Sequence, residues 1–432
     1  MRAKRMAFKP SRDRSDLRLP SIEMQTINVV GAGFSGLTTA YFLTKCGFQV
    51  RIFEKTDRAG GLIHTIRSAH GLVETAANGL LNSARLEAMC TDIGVPLLPT
   101  RRDGRKRFIF RGRPRQLSLT TSDMTTLAFR LATHAISFHP RQFETITAWG
   151  KRVLGSGATN YLLAPALGGI YAGDPKRLSA SLIFGRAVLP DHLKTNRPAR
   201  GKVRGTVAPP NGMQQLIDGL CVYLKDAGVE FLFNYEARLE PNEPAIVCLS
   251  ARAAAEFLAD AVPELSQALR GIEMLSLATV TCFYPTEAAR LKGFGCLFPR
   301  DQGFRSRGVL FNDCIFEGRG PAHSETWIFG GALDPEIVNL TDDEFAQLIA
   351  SEREEFYGKH DEVLEVRITR WPNALAHYSI ELERILTTLP APPSNVALVG
   401  NYLGRIGLAK ILERAAFVAN QFALKFGNSL AA

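Results

Sequence analysis

The sequence predicts an α/β fold, and three observations carry the prediction. Near the front of the chain an apolar strand pattern runs directly into a glycine-rich turn, a helical pattern and a second strand that ends in a carboxylate. A later segment is rich in short strands, Leu277–Phe283, Val309–Phe316 and Thr326–Phe329, whereas residues 116–160 read as mostly helical. The length of 432 residues, 46% hydrophobic and 22% charged, suits a globular chain of more than one domain and excludes disorder and collagen-like structure.

The elements follow in order. Ile27-Asn28-Val29-Val30 is a buried-strand pattern, and Leu37, Ala40, Tyr41 and Leu43 recur at helical spacing up to Gly47. Between them stands Gly31-Ala32-Gly33-Phe34-Ser35-Gly36. Gly31 permits a tight turn, Gly33 lets backbone approach a pyrophosphate, and Gly36 allows close packing of helix on strand. The helix N-terminus then offers its free N–H groups to the anion. The second strand, Phe48–Phe53, delivers Glu54 at 23 positions past Gly31, where a carboxylate accepts hydrogen bonds from ribose hydroxyls. An acid there disfavours a 2′-phosphate, so NADP is not expected. Arg58-Ala59-Gly60-Gly61 is similar to the second dinucleotide fingerprint of FAD proteins in the glutathione-reductase-like class. FAD is therefore the expected cofactor, and with no cysteine beyond Cys314 to form a C-terminal link it is expected to be non-covalent. Candidate helices cover Thr125–Ile136 and Phe143–Leu154, and the Pro/Arg/Gly-rich residues 195–210 read as a linker. Val396–Val399 reads as a buried strand, Gly400-Asn401 as a turn, and Ile411 onward as a helix with Ala415, Val418 and Phe422 on its apolar stripe.

The net charge of +10 sits in two short places. Residues 1–23 carry +4 and residues 101–115 carry +7, which leaves the rest of the chain near neutral. A nucleic-acid protein more often spreads its basic side chains over a whole face, so nucleic acid is not an expected partner. The 101–115 segment reads as the strand Arg107–Phe110, a turn at Arg111-Gly112-Arg113 and a return, a cationic hairpin. It is either simply solvated, or it attracts a polycarboxylate or an anionic membrane surface. Residues 1–23 lack the apolar stretch of a secretory signal and read as a basic tail ahead of Met24. Seven cysteines without a CxxC pair point to reduced structural thiols and a cytoplasmic location, with or without peripheral contact to the inner face of a membrane. Neither they nor the eight dispersed histidines show metal-ligand spacing, so no metal is expected.

Several further motifs, in order, resemble the protoporphyrinogen oxidase family of the FAD-dependent amine oxidase superfamily. Gly60-Gly61-Leu62-Ile63-His64-Thr65, Glu74-Thr75-Ala76-Ala77-Asn78-Gly79 and Arg107-Phe108-Ile109-Phe110 come first. The most distinctive is Gly169-Ile170-Tyr171-Ala172-Gly173-Asp174-Pro175 leading to Leu178-Ser179. Gly212-Met213-Gln214-Gln215-Leu216, Gly293–Arg300, Phe316–Pro321 and Leu398–Gly404 complete the series.

The resemblance implies a Rossmann-like FAD-binding domain of glutathione-reductase type, with an α+β substrate domain and a helical subdomain. The FAD domain would be assembled from residues 24–90, 205–262 and 386–430. Residues 91–204 would form the helical entrance region, and 263–385 the substrate domain. FAD would touch Gly31, Gly33, Phe34, Ser35, Gly36, Glu54, Lys55, Gly60, Gly61 and Leu62, with Ala237, Gly400, Asn401, Ile406 and Gly407 from later segments. The implied reaction is oxidation of a porphyrinogen, protoporphyrinogen IX or coproporphyrinogen III, by hydride transfer to the flavin in tetrapyrrole biosynthesis. Dioxygen or another acceptor would take the electrons. Arg107 would pair with a substrate propionate, Asn78 would line the pocket, and His64 would lie near the flavin ring; no catalytic acid–base pair stands out.

Some positions depart from the family. Ala76-Ala77 replaces Gly-Pro, Ala376-His377 replaces Pro-Gln in the stretch Trp371–Tyr378, and Arg405 follows Gly404 where a second glycine is common. Only Arg238–Pro244 stands where relatives insert a small β-meander. These changes keep two alternatives open, a flavin oxidase or desaturase acting on an amine or polyene, and a flavin-binding protein without turnover.

Overall fold

A computed structural model describes residues 25–133, 138–193, 195, 198–404 and 406–427. The basic tail at 1–23, the last residues of the helix expected to end at Ile136, and Arg405 lie outside the described residues.

Five parallel strands form the first sheet, in the order Glu230–Leu232, Gln49–Phe53, Thr26–Val30, Ala245–Val247, Val396–Leu398. Val29 stands between Ile52 and Ile246 in register. A parallel sheet needs cover on both faces. One face packs on the helices Phe34–Lys45, Gln214–Asp226 and Leu408–Phe426, which contribute Leu37, Leu220 and Leu412 to a common core. Val247 and Leu398 on the other face meet Ala254 and Leu269 of the helices Ala251–Phe257 and Pro263–Arg270. Residues 233–244 contain no strand, so the short connection seen in the sequence is a loop. The expected linker at 195–210 is not wholly one: Thr206–Ala208 is the central strand of a three-stranded sheet with Leu80–Leu81 and Leu98–Pro99.

The second sheet has seven strands, ordered Glu365–Ala376, Met274–Tyr284, His323–Gly330, Gly308–Phe311, Gly295–Leu297, Arg107–Phe110, Pro114–Arg115. The cationic hairpin is therefore the edge of this sheet, with Arg107 opposite Gly295. The expected strand Val309–Phe316 stops at Phe311, and Asn312–Ile315 is a helical turn. The Asn312 amide donates to the Thr326 hydroxyl at 2.9 Å, and the Ile315 carbonyl accepts from the Arg101 N–H at 2.9 Å, so the chain leaves the ladder there.

Side chains alternate across the sheet. On one face Val280, Phe311, Trp327, Phe329 and Phe110 form a core closed by Phe345, Ile349 and Phe356 of the helix Asp342–Tyr357. Within this layer the fully buried Glu325 carboxylate accepts from His323 Nε2 at 3.0 Å, Arg353 Nε at 3.0 Å, Trp327 Nε1 at 3.2 Å and Tyr357 Oη at 2.9 Å. The other His323 nitrogen meets Asp313 at 3.0 Å. Burial works against the imidazolium, but hydrogen bonds and charge from the two carboxylates prevail and raise its pKa to about 9. A raised folded pKa stabilises fully below the unfolded value near 6.5, and the contribution disappears as pH rises through 9. The urea midpoint of the wild type is expected to fall more steeply between pH 6.5 and 10 than that of His323→Gln, by on the order of 1–3 kcal/mol. Parallel slopes for the two proteins would refute the assignment.

The helical segment comprises Thr121–Thr133, Ile146–Val153 and Ala164–Tyr171. The first of these buries none of its residues and leaves Phe129 69% exposed. The distinctive loop after Tyr171 ties this segment to the rest: the Ala332 N–H donates to the Ala172 carbonyl and the Ser179 N–H to the Tyr378 carbonyl, each at 2.9 Å. His377, fully buried, receives the Asp174 N–H on Nε2 at 3.3 Å and holds Glu273 through Nδ1 at 3.0 Å. His377, at a position that departs from the family pattern, thus acts as a brace between the loop and the sheet end.

Candidate cofactor and substrate site

The turn after the first strand has the geometry that its glycines require. Gly31 has φ +101°, and a side-chain carbon there would lie 2.8 Å from the Cys248 carbonyl oxygen. At Gly36 such a carbon would lie 1.8 Å from the Gly31 oxygen, so helix and turn touch backbone to backbone. Gly33 is different: the nearest atom to an added carbon is Gly61 Cα at 3.9 Å, which leaves an open cradle beside the helix N-terminus. No side chain caps that terminus. Gly60 bridges to Gly33, and its N–H donates to the Ala32 carbonyl at 2.9 Å, so the two glycine motifs form one surface. Arg58 braces the second motif by donating to the Gly61 carbonyl at 2.7 Å.

Glu54 closes the far end. Its Oε2 accepts from the Ala32 N–H at 2.8 Å and its Oε1 from the Thr56 N–H at 3.0 Å, which orients the carboxylate and leaves lone pairs for hydroxyl donors. Gly33, Glu54, Gly60 and Gly61 are thus brought together, with Phe34, Ser35 and Gly36 at the helix start. Lys55 is exposed, Leu62 is 40% exposed, and Ala237 lies in the loop following Tyr235, whose N–H donates to the Glu54 carbonyl at 3.0 Å. Gly400 and Asn401 follow the last strand; the Asn401 amide donates to the Ala374 carbonyl at 3.2 Å and its carbonyl receives the Tyr378 hydroxyl. Ile406 and Gly407 precede the helix Leu408–Phe426, which begins without a side-chain cap.

The loop after Glu74 joins this surface to the second sheet. Glu74 is buried and accepts from Thr65 Oγ1 at 2.8 Å, the Met213 N–H at 2.9 Å and Arg319 Nη1 at 3.0 Å. Burial raises its carboxyl pKa against the pull of those donors and lowers that of the Arg319 guanidinium. The Thr75 carbonyl receives Trp371 Nε1 at 2.7 Å and Thr279 Oγ1 at 3.0 Å. The Thr75 N–H and hydroxyl both donate to the His64 carbonyl, so the structure uses the backbone of His64. Asn78, half-buried, ends this loop.

Trp371 and Thr279 identify which sheet face meets the loop at Thr75. The strand register places Leu277, Ile328, Leu310, Leu297, Ile109 and Arg107 on that face. Leu277, Ile328, Leu310 and Leu297 are only half-buried, unlike their neighbours on the opposite face. Arg107 sits at its far edge, exposed, with its guanidinium 4.4 Å from the Phe294 ring centre and no carboxylate partner. Among the described residues, the part of this face around Leu277, Thr279, Ile328 and Leu310 carries no acidic side chain, and the ion pair of Glu365 with Arg367 lies further along it. Thr279, Arg319 and Glu74 were not among the expected site residues; Arg319 and Glu74 stand inside motifs noted above, whereas nothing local marks Thr279. Among the described residues no three His, Cys, Asp or Glu side chains could hold a metal ion, and no helix is long and apolar enough to cross a membrane.

The parallel sheet with its double glycine surface, carboxylate and adjoining apolar sheet face defines a dinucleotide-dependent oxidoreductase. The family model for flavin containing amine oxidoreductases matches residues 34–238 and 243–408, and the chain belongs to that family. It is an FAD-dependent oxidoreductase similar to protoporphyrinogen oxidases. The chloroplastic protoporphyrinogen oxidase of Nicotiana tabacum is 25% identical over 93% of this chain and 86% of its own. The coproporphyrinogen III oxidase of Propionibacterium freudenreichii is 22% identical over 91% of this chain and 90% of its own. The crystal structure of a protein from Exiguobacterium sp. 255-15, titled "Putative protoporphyrinogen oxidase", superposes with a TM-score of 0.74 at 20% identity, over 93% of this chain and 99% of its own.

Proposed function

We propose that the protein oxidises a porphyrinogen to the porphyrin. The observation that carries this reading is the sheet face opposite Thr75, whose central residues Leu277, Ile328, Leu310 and Leu297 are apolar and which has the Arg107 cation at its edge. A macrocycle with carboxylates at its rim fits such a surface. The relatives named protoporphyrinogen and coproporphyrinogen III oxidase, aligned over about nine-tenths of the chain, support the substrate class.

When bound, FAD would supply a hydride acceptor that dioxygen or another oxidant can reoxidise. The chain's part is placement. Gly31, Gly33 and the following helix N-terminus bind the pyrophosphate, with Phe34, Ser35 and Gly36 behind them. Glu54 takes the ribose hydroxyls, with Lys55 and Ala237 beside it, and Gly60, Gly61 and Leu62 border the dinucleotide. Gly400, Asn401, Ile406 and Gly407 lie at the flavin end, where the uncapped helix Leu408–Phe426 favours negative charge. Leu277, Ile328, Leu310 and Leu297 exclude water and orient the ring, Asn78 and His64 border it, and Arg107 pairs with a carboxylate. In this reading residues 24–90, 205–262 and 386–430 form the FAD domain, 263–385 the substrate domain and 91–204 the entrance.

The test is anaerobic mixing of the FAD-loaded protein with protoporphyrinogen IX and with coproporphyrinogen III. Bleaching of the flavin with appearance of porphyrin fluorescence is expected, and Arg107→Ala should lower kcat/KM about tenfold or more, as loss of a charge-assisted pair does. A flavin that neither compound reduces, while an amine or polyene does, would overturn the proposal.

A further inference from the structure

A second cavity, of about 890 Å³, lies between the helical segment and the end of the seven-stranded sheet. That volume is within the range of small-molecule sites. One wall is formed by Ala164, Pro165 and Gly168 with the loop 173–176, the other by residues 298–307 with Leu333 and Asp334. The register puts two of its lining residues, Phe298 and Arg307, on the sheet face away from the loop at Thr75. Phe298 and Phe304, two of its lining residues, stack at 4.2 Å between ring centres and belong to the core under the helix Asp342–Tyr357.

The charges along this cavity are not balanced. Arg305 is taken up by Asp334, with two contacts of 3.0 Å. Among the described residues, Lys151, Lys176, Arg300 and Arg307 have no carboxylate within ion-pair distance; the remaining acids that line the cavity are Asp174 and Asp301, and Glu352 lies near Arg300. Asp301 already accepts from the Tyr161 hydroxyl at 2.5 Å.

Arg307 is the informative residue. It is 6% exposed, its Nε donates to the Gly330 carbonyl at 2.6 Å and Nη1 to the Gly168 carbonyl at 3.4 Å, and Nη2 has no partner. Burial lowers its pKa to about 9. A guanidinium held out of water beside two carbonyls, with Asp334 and Asp174 near it but neither in hydrogen-bond contact, is a standing electrostatic cost. An anion in the cavity would remove that cost and take the two exposed lysines and Arg300 as further partners.

We propose that this cavity binds an organic anion with two or more carboxylates on an apolar body, at a site separate from the flavin. Pro165, Leu333 and the edges of Phe298 and Phe304 receive the apolar body, and Lys151, Lys176 and Arg300 receive the carboxylates, with the buried charge of Arg307 behind them. The proposal is independent of whether a porphyrinogen is the substrate.

The probe is coproporphyrin III, a tetracarboxylate, titrated into the FAD-loaded protein by fluorescence quenching at low and moderate salt. Lys151→Glu/Lys176→Glu, which changes two exposed side chains with no hydrogen bonds to lose, is expected to weaken binding at least tenfold and to flatten the salt dependence. Arg107→Ala, on the other face of the sheet, is expected to leave at least one binding event at wild-type affinity. Unchanged binding in the lysine variant, loss of all binding in Arg107→Ala, or no binding to the wild type would each overturn the proposal.

Discussion

Replacing Gly33 by alanine is expected to leave the chain folded and strip it of FAD. The backbone of Gly33 has φ −69° and ψ 178°, which alanine adopts without strain, and the added carbon meets nothing nearer than Gly61 Cα at 3.9 Å. Urea stability of the apoprotein should therefore stay within about 0.5 kcal/mol of wild type, as surface substitutions do. The same carbon fills the cradle through which, in the proposed reading, a pyrophosphate would reach the helix N-terminus. Affinity for FAD should drop about a hundredfold, equivalent to roughly 2.8 kcal/mol. Gly36→Ala is the control with the opposite signature: its carbon would lie 1.8 Å from the Gly31 oxygen, so helix and strand must separate and stability falls with binding. Fluorescence titration of released FAD and urea unfolding of both apoproteins give the comparison. Wild-type FAD affinity in Gly33→Ala would show that the cradle is not the pyrophosphate site.

Glu325→Ala is expected to cost about 3–5 kcal/mol, the range for removing one partner of a buried ion pair. Four donors converge on this carboxylate, and two of them, Arg353 and His323, carry charge. Arg353 retains Asp361, which also takes Arg290, so the guanidinium is not left wholly unpaired. His323 retains Asp313. The loss should nonetheless exceed that of any exposed pair such as Lys45–Asp92, for which about 0–1 kcal/mol is usual. Urea denaturation followed by the near-ultraviolet signal of Trp327 reads the effect directly. A change below about 1 kcal/mol would mean that the network is dispensable to the second sheet.

Much of the cofactor site is legible in the sequence because its parts are local. A strand, a glycine turn, a helix and a terminal carboxylate follow one another within 30 residues, and each glycine has a steric reason that does not depend on distant residues. Arg107 on a strand and the turn after it are legible for the same reason. The meeting of Thr75 with Trp371 is not, because the two are 296 residues apart and neither segment's pattern shows what opposes it. Thr279 reads as an ordinary strand residue until its hydroxyl is seen on the Thr75 carbonyl. The strand expected through Phe316 fails at Asn312 because a tertiary partner, Thr326, captures its amide. The loop at Tyr171–Pro175, the most distinctive resemblance in the chain, turns out to work as a clamp between the helical segment and His377.

By itself the sequence determined the strand–turn–helix–strand unit at the front of the chain and four strands of the second sheet, since these rest on short-range periodicity and glycine sterics, whereas the longest strand, Glu365–Ala376, was legible only as a motif. It did not determine which face of that sheet receives the loop at Thr75. Alternate residues of the strands are apolar enough to be buried on either side, so the pattern permits both arrangements. The helix Asp342–Tyr357 decides the matter by closing one face with Phe345, Ile349 and Phe356, which leaves the Leu277–Ile328–Leu310 face to the loop at Thr75 and the 298–307 end of the sheet to the cationic cavity.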